Sequence, residues 1–299
     1  MQVYNDEHLY HYGVLGMKWG VRKKDYNSGN SRTTSKIERA VYSVGAKINP
    51  RELKYKIRKL LNNPNADAKT LSDLTLFFTK NSGVLPTNKK ALKAIETIGI
   101  KKHAEKKYDN LSDVDLRRLK TYTDSARYSR SINGYLAIGE PKTYAKEAAK
   151  LKQTLSKNTV DNQTVFRSCN FKFSVNGVAK KLDTMNEKEL ENTISSMTKN
   201  FSGKSIGENR VFSTSTSPLF AIDTWRAVNP TAASTYNTYM IINCKKCPGV
   251  LADGQTKDGK ALVNTRSNQE AILAPNKLTY RKLEYDKERK MFAITVDAT

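Results

Sequence analysis

The sequence predicts an α+β fold, in which a helical N-terminal region precedes an antiparallel β core. Up to Leu155, apolar residues recur every three or four positions, as they do along one face of a helix. Beyond this point the chain changes to short β-branched and aromatic runs that are bounded by turn residues. Helices that precede the strands, rather than alternating with them, favour this class over a parallel α/β sheet.

The helical elements follow from this spacing. Residues 36–107 read as several helices separated by turns, and their last run, KKALKAIETIGIKKHAEKK, carries apolar residues along one face. Another helix is expected to begin at Ser112, because Ser112 and Asp115 form a capping-box signal. Two more helical runs continue to Leu155. The basic region 36–107 has no catalytic signature, so its default interpretation is packing or docking of a partner.

The strands are expected in the second half, and the last two face each other across DKER as a hairpin. The predicted strands are TVFRSCNF (164–171), RVFSTSTS (210–217), YNTYMIINC (236–244), QEAILAP (269–275), KLTYRKLEY (277–285) and MFAITVD (291–297).

The composition limits the function classes. The 299 residues suffice for about two domains, and the formal net charge is +23 with a pI near 9.8. Such a charge attracts polyanions, namely nucleic acid, acidic protein surfaces or an anionic ligand, although a solvated lysine-rich surface gives the same composition. No stretch reaches the length of a transmembrane helix, and the N-terminus lacks the basic and apolar regions of a signal peptide.

The three cysteines favour no metal site. Cys244 and Cys247 form a CxxC, but a structural zinc site usually needs four ligands, and the three histidines are far away in sequence. We interpret these two cysteines and Cys169 as reduced, structurally neutral thiols, and we expect no bound metal.

The N-terminal block, residues 8–24, is dense in glycine, aromatic and basic residues. Gly13, Gly16 and Gly20 recur too often for a stable helix, and the polar stretch 25–36 reads as a linker. The block resembles an HYGVxGMKWGVRK-type motif found at the ends of bacteriophage and prophage structural proteins. That resemblance implies docking onto phage head or assembly proteins. The alternative is a tail that binds membranes or nucleic acid non-specifically.

Three stretches carry candidate functional residues. Arg167 lies in the middle of a predicted strand, where its charge would be costly to bury without a partner. Ser213, Thr214 and Ser215 form a second polar stretch, and Glu270 begins a later strand. Each is weak evidence alone, because surface arginines, Ser-Thr edges and strand-end glutamates are common.

In this order the stretches resemble the Arg / Ser-Thr-Ser / x-x-Glu pattern of toxin-type mono-ADP-ribosyltransferases. LSDVDLRRLKTYTDSARYSRSINGYL is similar to the helices that precede this pattern in the family, and SNQEAILAPNKLTYRKL is similar to its C-terminal strands. The resemblance covers residues 105–299. Together with the composition of the preceding residues, it predicts three parts, namely a tag and linker at 1–35, a basic helical module at 36–104 and an ADP-ribosyltransferase domain at 105–299.

The resemblance implies NAD as the substrate and assigns a role to each motif residue. Arg167 is expected to bind the pyrophosphate of NAD, since a guanidinium binds phosphate oxygens bidentately. Glu270 is expected to stabilise the oxocarbenium-like transition state, with Ser213 holding its rotamer. Thr214 and Ser215 are expected to brace the strand and the nicotinamide-ribose pocket, or to serve strand structure alone.

Two positions depart from the family pattern. Asn268 stands where the family usually has Glu or Gln to orient the target nucleophile, and it is one methylene shorter. Gln269 is adjacent to Glu270 and would face the opposite side of a regular strand. Tyr128 stands four residues before Ile132 instead of three, so we expect either a nucleotide contact or a helix-packing aromatic.

We therefore expect an enzyme that transfers ADP-ribose from NAD to a protein acceptor of a host cell. The alternatives are an enzyme that mainly hydrolyses NAD, and a non-enzymatic phage structural or nucleic-acid-binding protein with a decayed transferase fold. We expect the protein to be virion-associated or delivered into host cytoplasm, or to be secreted by a route other than Sec.

Overall fold

The computed structural model describes most of the second two-thirds of the chain. It describes Tyr55, Leu85 and residues 89–169, 173–175, 178–180, 184–206, 209–224, 237–263 and 269–299. The predicted tag and linker at 1–35, most of residues 36–88, and Asn268 lie outside the described residues.

Helices make up most of the described chain up to Ser156, as predicted, but the helix Glu187–Phe201 and a π-helical turn lie among the later strands, where no helix was predicted. The elements are α1 (Lys89–Glu105), α2 (Asp113–Asp124), α3 (Ala126–Ile138), a 3₁₀ turn (Lys142–Tyr144), α4 (Ala145–Ser156), α5 (Glu187–Phe201) and a π-helical turn (Leu219–Thr224). No helix among the described residues combines the length and apolar character that a membrane span requires.

The predicted start of α2 is confirmed by a capping box. The Ser112 hydroxyl accepts from the Asp115 amide, and the Asp115 carboxylate accepts from the Ser112 amide at 2.9 Å. Asp115 also accepts from Thr154 and from Lys157, each at 2.7 Å, which ties α2 to the end of α4. Burial opposes the ionisation of Asp115, but these hydrogen bonds outweigh it and hold its pKa well below the usual value.

The described chain contains twelve short strands, most of them after Ser156. They are β1 (Lys107–Tyr108), β2 (Thr159–Val160), β3 (Gln163–Cys169), β4 (Phe173–Val175), β5 (Val178–Lys180), β6 (Phe212–Ser215), β7 (Thr238–Cys244), β8 (Cys247–Leu251), β9 (Gln255–Thr256), β10 (Glu270–Leu273), β11 (Leu278–Asp286) and β12 (Met291–Ala298). All six predicted strands are present, and β11 and β12 form the predicted hairpin. The α+β class is confirmed.

Eight of these strands form the main sheet, in the order β11-β12-β7-β3-β6-β10-β8-β2. Its neighbouring strands are antiparallel except for β12 and β7, which are parallel. β3 and β6 share one register pair, Phe166 with Ser215, whereas β3 and β7 share seven. The sheet therefore consists of two halves that meet at a narrow junction between β3 and β6.

Each half of the sheet has its own packed layer. Helices α2, α3 and α4 cover the half that contains β8 and β10, where Leu119, Leu151 and Ile272 are fully buried. Helix α5 covers β11, and Met197 joins the core cluster there. That cluster also contains the three cysteines, which are buried free thiols. The predicted polar stretches lie where the two halves meet, because β3, β6 and β10 are neighbours.

Candidate active site

Strand pairing brings Ser213 and Glu270 together. β6 and β10 are antiparallel, with Glu270 opposite Ser215 and Ile272 opposite Ser213, so Glu270 and Ser213 are diagonal neighbours on one face. The Ser213 hydroxyl donates a hydrogen bond to Glu270 Oε1. Both side chains are buried, with exposures of 5% and 4%. The contact fixes one oxygen of the carboxylate, and the catalytic roles of both residues stay predictions.

Arg167 contacts the same strand from the other half of the sheet. Its Nη1 donates to the backbone carbonyl of Ser213 at 3.0 Å, and its guanidinium lies 5.3 Å from the centre of the Phe212 ring. The side chain is only 4% exposed. Since β3 and β6 share a single register pair, this hydrogen bond adds a second connection across the junction. The buried guanidinium of Arg167 thus has a hydrogen-bond partner in the backbone of β6.

Thr214 and Ser215 make contacts that stabilise the backbone. The Thr214 hydroxyl donates to the carbonyl of Ala271 on β10 at 2.8 Å. The Ser215 hydroxyl accepts from the amide of Ser217 at 3.0 Å, where the chain leaves β6. These contacts fit the bracing part of the prediction for both residues.

The segment after β6 is anchored at two points. Ser168 on β3 donates to the carbonyl of Ala221 in the π-helical turn at 2.7 Å. Arg289 forms two hydrogen bonds of 2.9 Å to the carboxylate of Asp223 in the same turn, and its Nη1 donates to Asp286 and to the carbonyl of Leu85. These contacts hold the chain that follows the Ser-Thr-Ser stretch against both β3 and the β11–β12 hairpin.

The residue directly before Glu270 does not continue the regular strand. Gln269 has a left-handed backbone, with φ of 47°, and its fully buried side chain contacts Thr216 rather than Ser213. Its side chain therefore contacts a different residue from that of Glu270, although its backbone is not that of the regular strand on which the prediction rested. Asn268 lies outside the described residues, and its proposed effect on the acceptor stays a prediction.

Tyr128 lies in the helical layer. Its hydroxyl donates to Glu147 at 3.3 Å, and its ring packs edge-on against Tyr144 at 5.9 Å between centroids. Burial, followed by the charge of Glu147, raises the pKa of Tyr128 to about 12. None of these contacts reaches Arg167 or Glu270, so the packing interpretation accounts for the contacts of this side chain.

Sequence reasoning missed a polar contact that holds the helical layer against β6. The Asn133 carbonyl oxygen accepts from the amide of Val211 at 2.9 Å, and the Tyr122 hydroxyl donates to the carbonyl of Val211 at 3.1 Å. Val211 is two residues before Ser213. The stretch that resembles the family includes the pair Ile132–Asn133 on α3, and this pair was the available signal for the contact. The sequence pattern alone assigned no role to Asn133.

The arrangement supplies a buried carboxylate on β10, a hydroxyl donor that holds it on β6, and a buried guanidinium on β3. In a site of low exposure, a fixed negative charge stabilises a developing positive charge more strongly than it does in water. The described residues contain no group of three or more His, Cys, Asp or Glu side chains arranged to hold a metal ion.

Comparison with family models identifies two segments. Residues 100–237 match the model of the ADP-ribosyltransferase exoenzyme family, and residues 2–26 match a family of unknown function, DUF7211. The first match covers just under half of the chain and includes Arg167 and Ser213, but it ends before Glu270. It supports the resemblance that the motifs indicated. The second match gives no support for a phage origin.

Solved structures similar to this chain include three bacterial proteins. An ADP-ribosyltransferase from Clostridium botulinum is 16% identical with a TM-score of 0.46, covering 71% of this chain and 96% of its own. The ADP-ribosyltransferase toxin Plx2a from Paenibacillus larvae is 18% identical with a TM-score of 0.44, covering 63% and 86%. A protein from S. aureus, C3stau2, solved with NAD, is 14% identical with a TM-score of 0.35, covering 66% and 99%. The comparison with curated proteins found no match.

Proposed function

We propose that this protein is an NAD-dependent mono-ADP-ribosyltransferase that modifies a protein acceptor. The observation that carries the proposal is the buried Ser213–Glu270 hydrogen bond, with Arg167 bonded to the same residue of β6. The match of residues 100–237 to the ADP-ribosyltransferase exoenzyme model supports it independently.

Arg167 is proposed to bind the pyrophosphate of NAD. A guanidinium has five N–H donors in a planar fork, so it can bind phosphate oxygens while Nη1 keeps its bond to Ser213. Its position at the junction places positive charge between the two halves of the sheet. The same side chain would then hold the junction together and attract the anionic part of the substrate.

Glu270 is proposed to act on the bond that breaks. The C1′–N glycosidic bond of NAD breaks, and its electron pair leaves with nicotinamide, which departs as a neutral molecule. The positive charge passes to the ribose as an oxocarbenium-like cation, the problem that glycosidases solve with a carboxylate. The Glu270 carboxylate would stabilise this charge and accept a hydrogen bond from the ribose 2′-hydroxyl. The acceptor nucleophile then bonds to C1′ and releases its proton.

Ser213 is proposed to be a positioning residue. Its hydroxyl holds Glu270 Oε1, which leaves the carboxylate one defined orientation instead of several rotamers. Preorganisation of this kind matters because the charge must be in place before the bond breaks. Thr214 would support Ser213 indirectly by bonding β6 to β10.

The acceptor is proposed to be a protein side chain of a host cell, with water as the alternative acceptor. A specific observation favours some hydrolysis: Asn268 is shorter than the Glu or Gln that the resemblance implies at that position. A shorter amide would orient the acceptor less well, and water would then compete for the same cation.

The N-terminal segment is proposed to direct the enzyme to a partner. Residues 8–24 combine aromatic and cationic side chains, which suit docking onto another surface, and a polar linker follows them. Their resemblance to a motif of phage structural proteins supports phage head or assembly proteins as the partner. A virion-associated or host-delivered enzyme would follow from this.

The activity is tested with NAD labelled in its adenylate part, incubated with the protein and a host lysate. We expect release of nicotinamide and covalent label on one or a few lysate proteins, and neither with Glu270→Ala. Nicotinamide release without labelled protein would indicate an NAD glycohydrolase. No release above the Glu270→Ala level would refute the enzyme and favour a non-enzymatic protein with a decayed transferase fold.

A further inference from the structure

Gln269, the residue directly before Glu270, has an unusual backbone. Its φ of 47° lies in the left-handed region, which costs energy for a residue with a side chain. Its side chain is completely buried. Such a conformation persists only where surrounding contacts hold it, so the contacts of Gln269 determine how the chain enters β10.

Those contacts come from Thr216 and from α1. The Thr216 amide donates to the Gln269 carbonyl at 3.0 Å, and the Thr216 hydroxyl donates to Gln269 Oε1 at 3.2 Å. His103 on α1 places its Nε2 3.0 Å from the same hydroxyl. Thr216 and His103 are both completely buried. One hydroxyl thus connects the helix to the residue before Glu270.

Gly99 allows α1 to approach this closely. A Cβ at Gly99 would lie 2.4 Å from Gln269 Oε1 and 2.9 Å from Thr216 Oγ1, so these side chains would have to shift to accommodate it. Gly99 and His103 are four residues apart and therefore share one face of α1. A glycine inside a helix normally lowers stability relative to alanine. The close contact with Gln269 and Thr216 accounts for the presence of glycine at position 99.

We propose that Gly99, His103, Thr216 and Gln269, here called the α1 clamp, position the carboxylate of Glu270 for its reaction. Glu270 is the first residue of β10, so the peptide that the clamp holds directly sets the direction of its Cα–Cβ bond. The proposal rests on the function proposed above. It gives α1, at the end of the predicted basic module, a role in positioning the catalytic carboxylate.

The members of the α1 clamp are positioning residues and not catalytic ones. Gln269 faces Gly99 and Thr216, whereas Glu270 contacts Ser213. His103, Thr216 and Gln269 have no exposed surface, so we expect them to affect NAD indirectly, through the position of Glu270. A displacement of about 1 Å at a reacting group costs up to about a hundredfold in rate. Loosening the clamp should therefore lower kcat and leave the KM for NAD nearly unchanged.

The test compares Thr216→Val with Thr216→Ser in the full-length protein. Valine keeps the shape of threonine but removes both side-chain hydrogen bonds, and serine keeps the hydroxyl. Thr97→Ala is the matched control, because Thr97 lies on the exposed face of α1 and its hydroxyl bonds to the carbonyl of Lys93 in the same helix. The measurements are kcat and KM for nicotinamide release well below Tm, and hydrogen exchange of the peptide that contains residues 269–273.

We expect Thr216→Val to lower kcat about tenfold or more, with KM within about twofold and faster exchange at residues 269–273. Thr216→Ser should recover most of kcat, and Thr97→Ala should behave as the parent. The positioning role is refuted if folded Thr216→Val keeps the parental kcat, or if its kcat falls and its KM for NAD changes as strongly. In both cases the proposed function stands.

Gly99→Ala gives a second test that does not depend on Thr216. Alanine normally stabilises a helix relative to glycine, whereas here we expect a lower Tm and a lower kcat because the new methyl group displaces Gln269. A higher Tm with unchanged kcat would refute the clamp. If the parent protein itself releases no nicotinamide, the proposed function fails, and hydrogen exchange in Thr216→Val then decides whether the clamp holds β10.

Discussion

Glu270→Gln is the substitution that most directly separates charge from shape at the proposed site. Glutamine has the size of glutamate and retains a carbonyl oxygen that accepts from the Ser213 hydroxyl, so the β6–β10 contact survives. Only the negative charge is lost. The change should therefore leave the fold intact while removing the group proposed to stabilise the oxocarbenium-like cation.

The burial of Glu270 determines the expected magnitude. Two unit charges about 4 Å apart interact by about 1 kcal/mol in water and by about 4 kcal/mol at an effective dielectric constant of about 20. The 4% exposure of Glu270 makes the second value appropriate. A barrier raised by about 4 kcal/mol corresponds to about a thousandfold loss in kcat, against about fivefold for a carboxylate in water.

The assay is nicotinamide release at saturating NAD, with NAD affinity measured separately by calorimetry. We expect kcat to fall about a thousandfold and the affinity to change little, because the interaction belongs to the transition state. Glu284→Gln is the matched control, since it also removes a single carboxylate, in this case a half-buried one on β11 that pairs with Lys282. If Glu270→Gln stays within about fivefold of the parent, the carboxylate does not stabilise the cation.

Three further predictions concern binding, folding and targeting. Arg167→Lys should weaken NAD binding about tenfold or more, since a single ammonium replaces a bidentate fork, and equal affinity by calorimetry would return Arg167 to a structural role. Burial lowers the pKa of His103 to about 3, so the unfolded state binds more protons between pH 6.5 and 3. Lowering the pH from 7 to 5 should therefore cost the parent about 2 kcal/mol of unfolding free energy more than His103→Gln, as denaturant titration would show; equal losses would contradict it. Deleting residues 1–30 should leave NAD hydrolysis intact and abolish co-purification with phage particles; retained co-purification would refute the targeting role.

The sequence predicts the local elements of this fold well, because their signals are local. The capping box at Ser112 identified the start of α2, and the β-branched and aromatic runs on either side of DKER identified the β11–β12 hairpin. Helix α5 was not predicted, although it begins with a signal of the same kind, the capping box formed by Asn186 and Glu189. Its start is therefore also encoded locally, within four residues of the chain.

The assembly of the site was predictable only in part. The order of Arg167, Ser213 and Glu270 along the chain predicted that they belong together, and the sheet order β3-β6-β10 explains why they do. The bonds between them depend on register, which residue types do not specify. For example, Arg167 bonds to a backbone carbonyl of β6 at the junction where β3 and β6 share a single register pair. Nothing in the residue types specifies that pairing.

The contact between α1 and Gln269 shows which sequence signal can still indicate a contact between residues far apart in the chain. About 170 residues separate Gly99 from Gln269 in the chain, so no periodicity links them. Gly99 nevertheless interrupts a helix that is otherwise rich in good helix formers, at a cost of about 1 kcal/mol relative to alanine. An internal glycine of this kind indicates a close approach by another segment. Here the approaching residue is Gln269, directly before the proposed catalytic carboxylate. Through this contact, a helix without catalytic residues is proposed to influence the reaction.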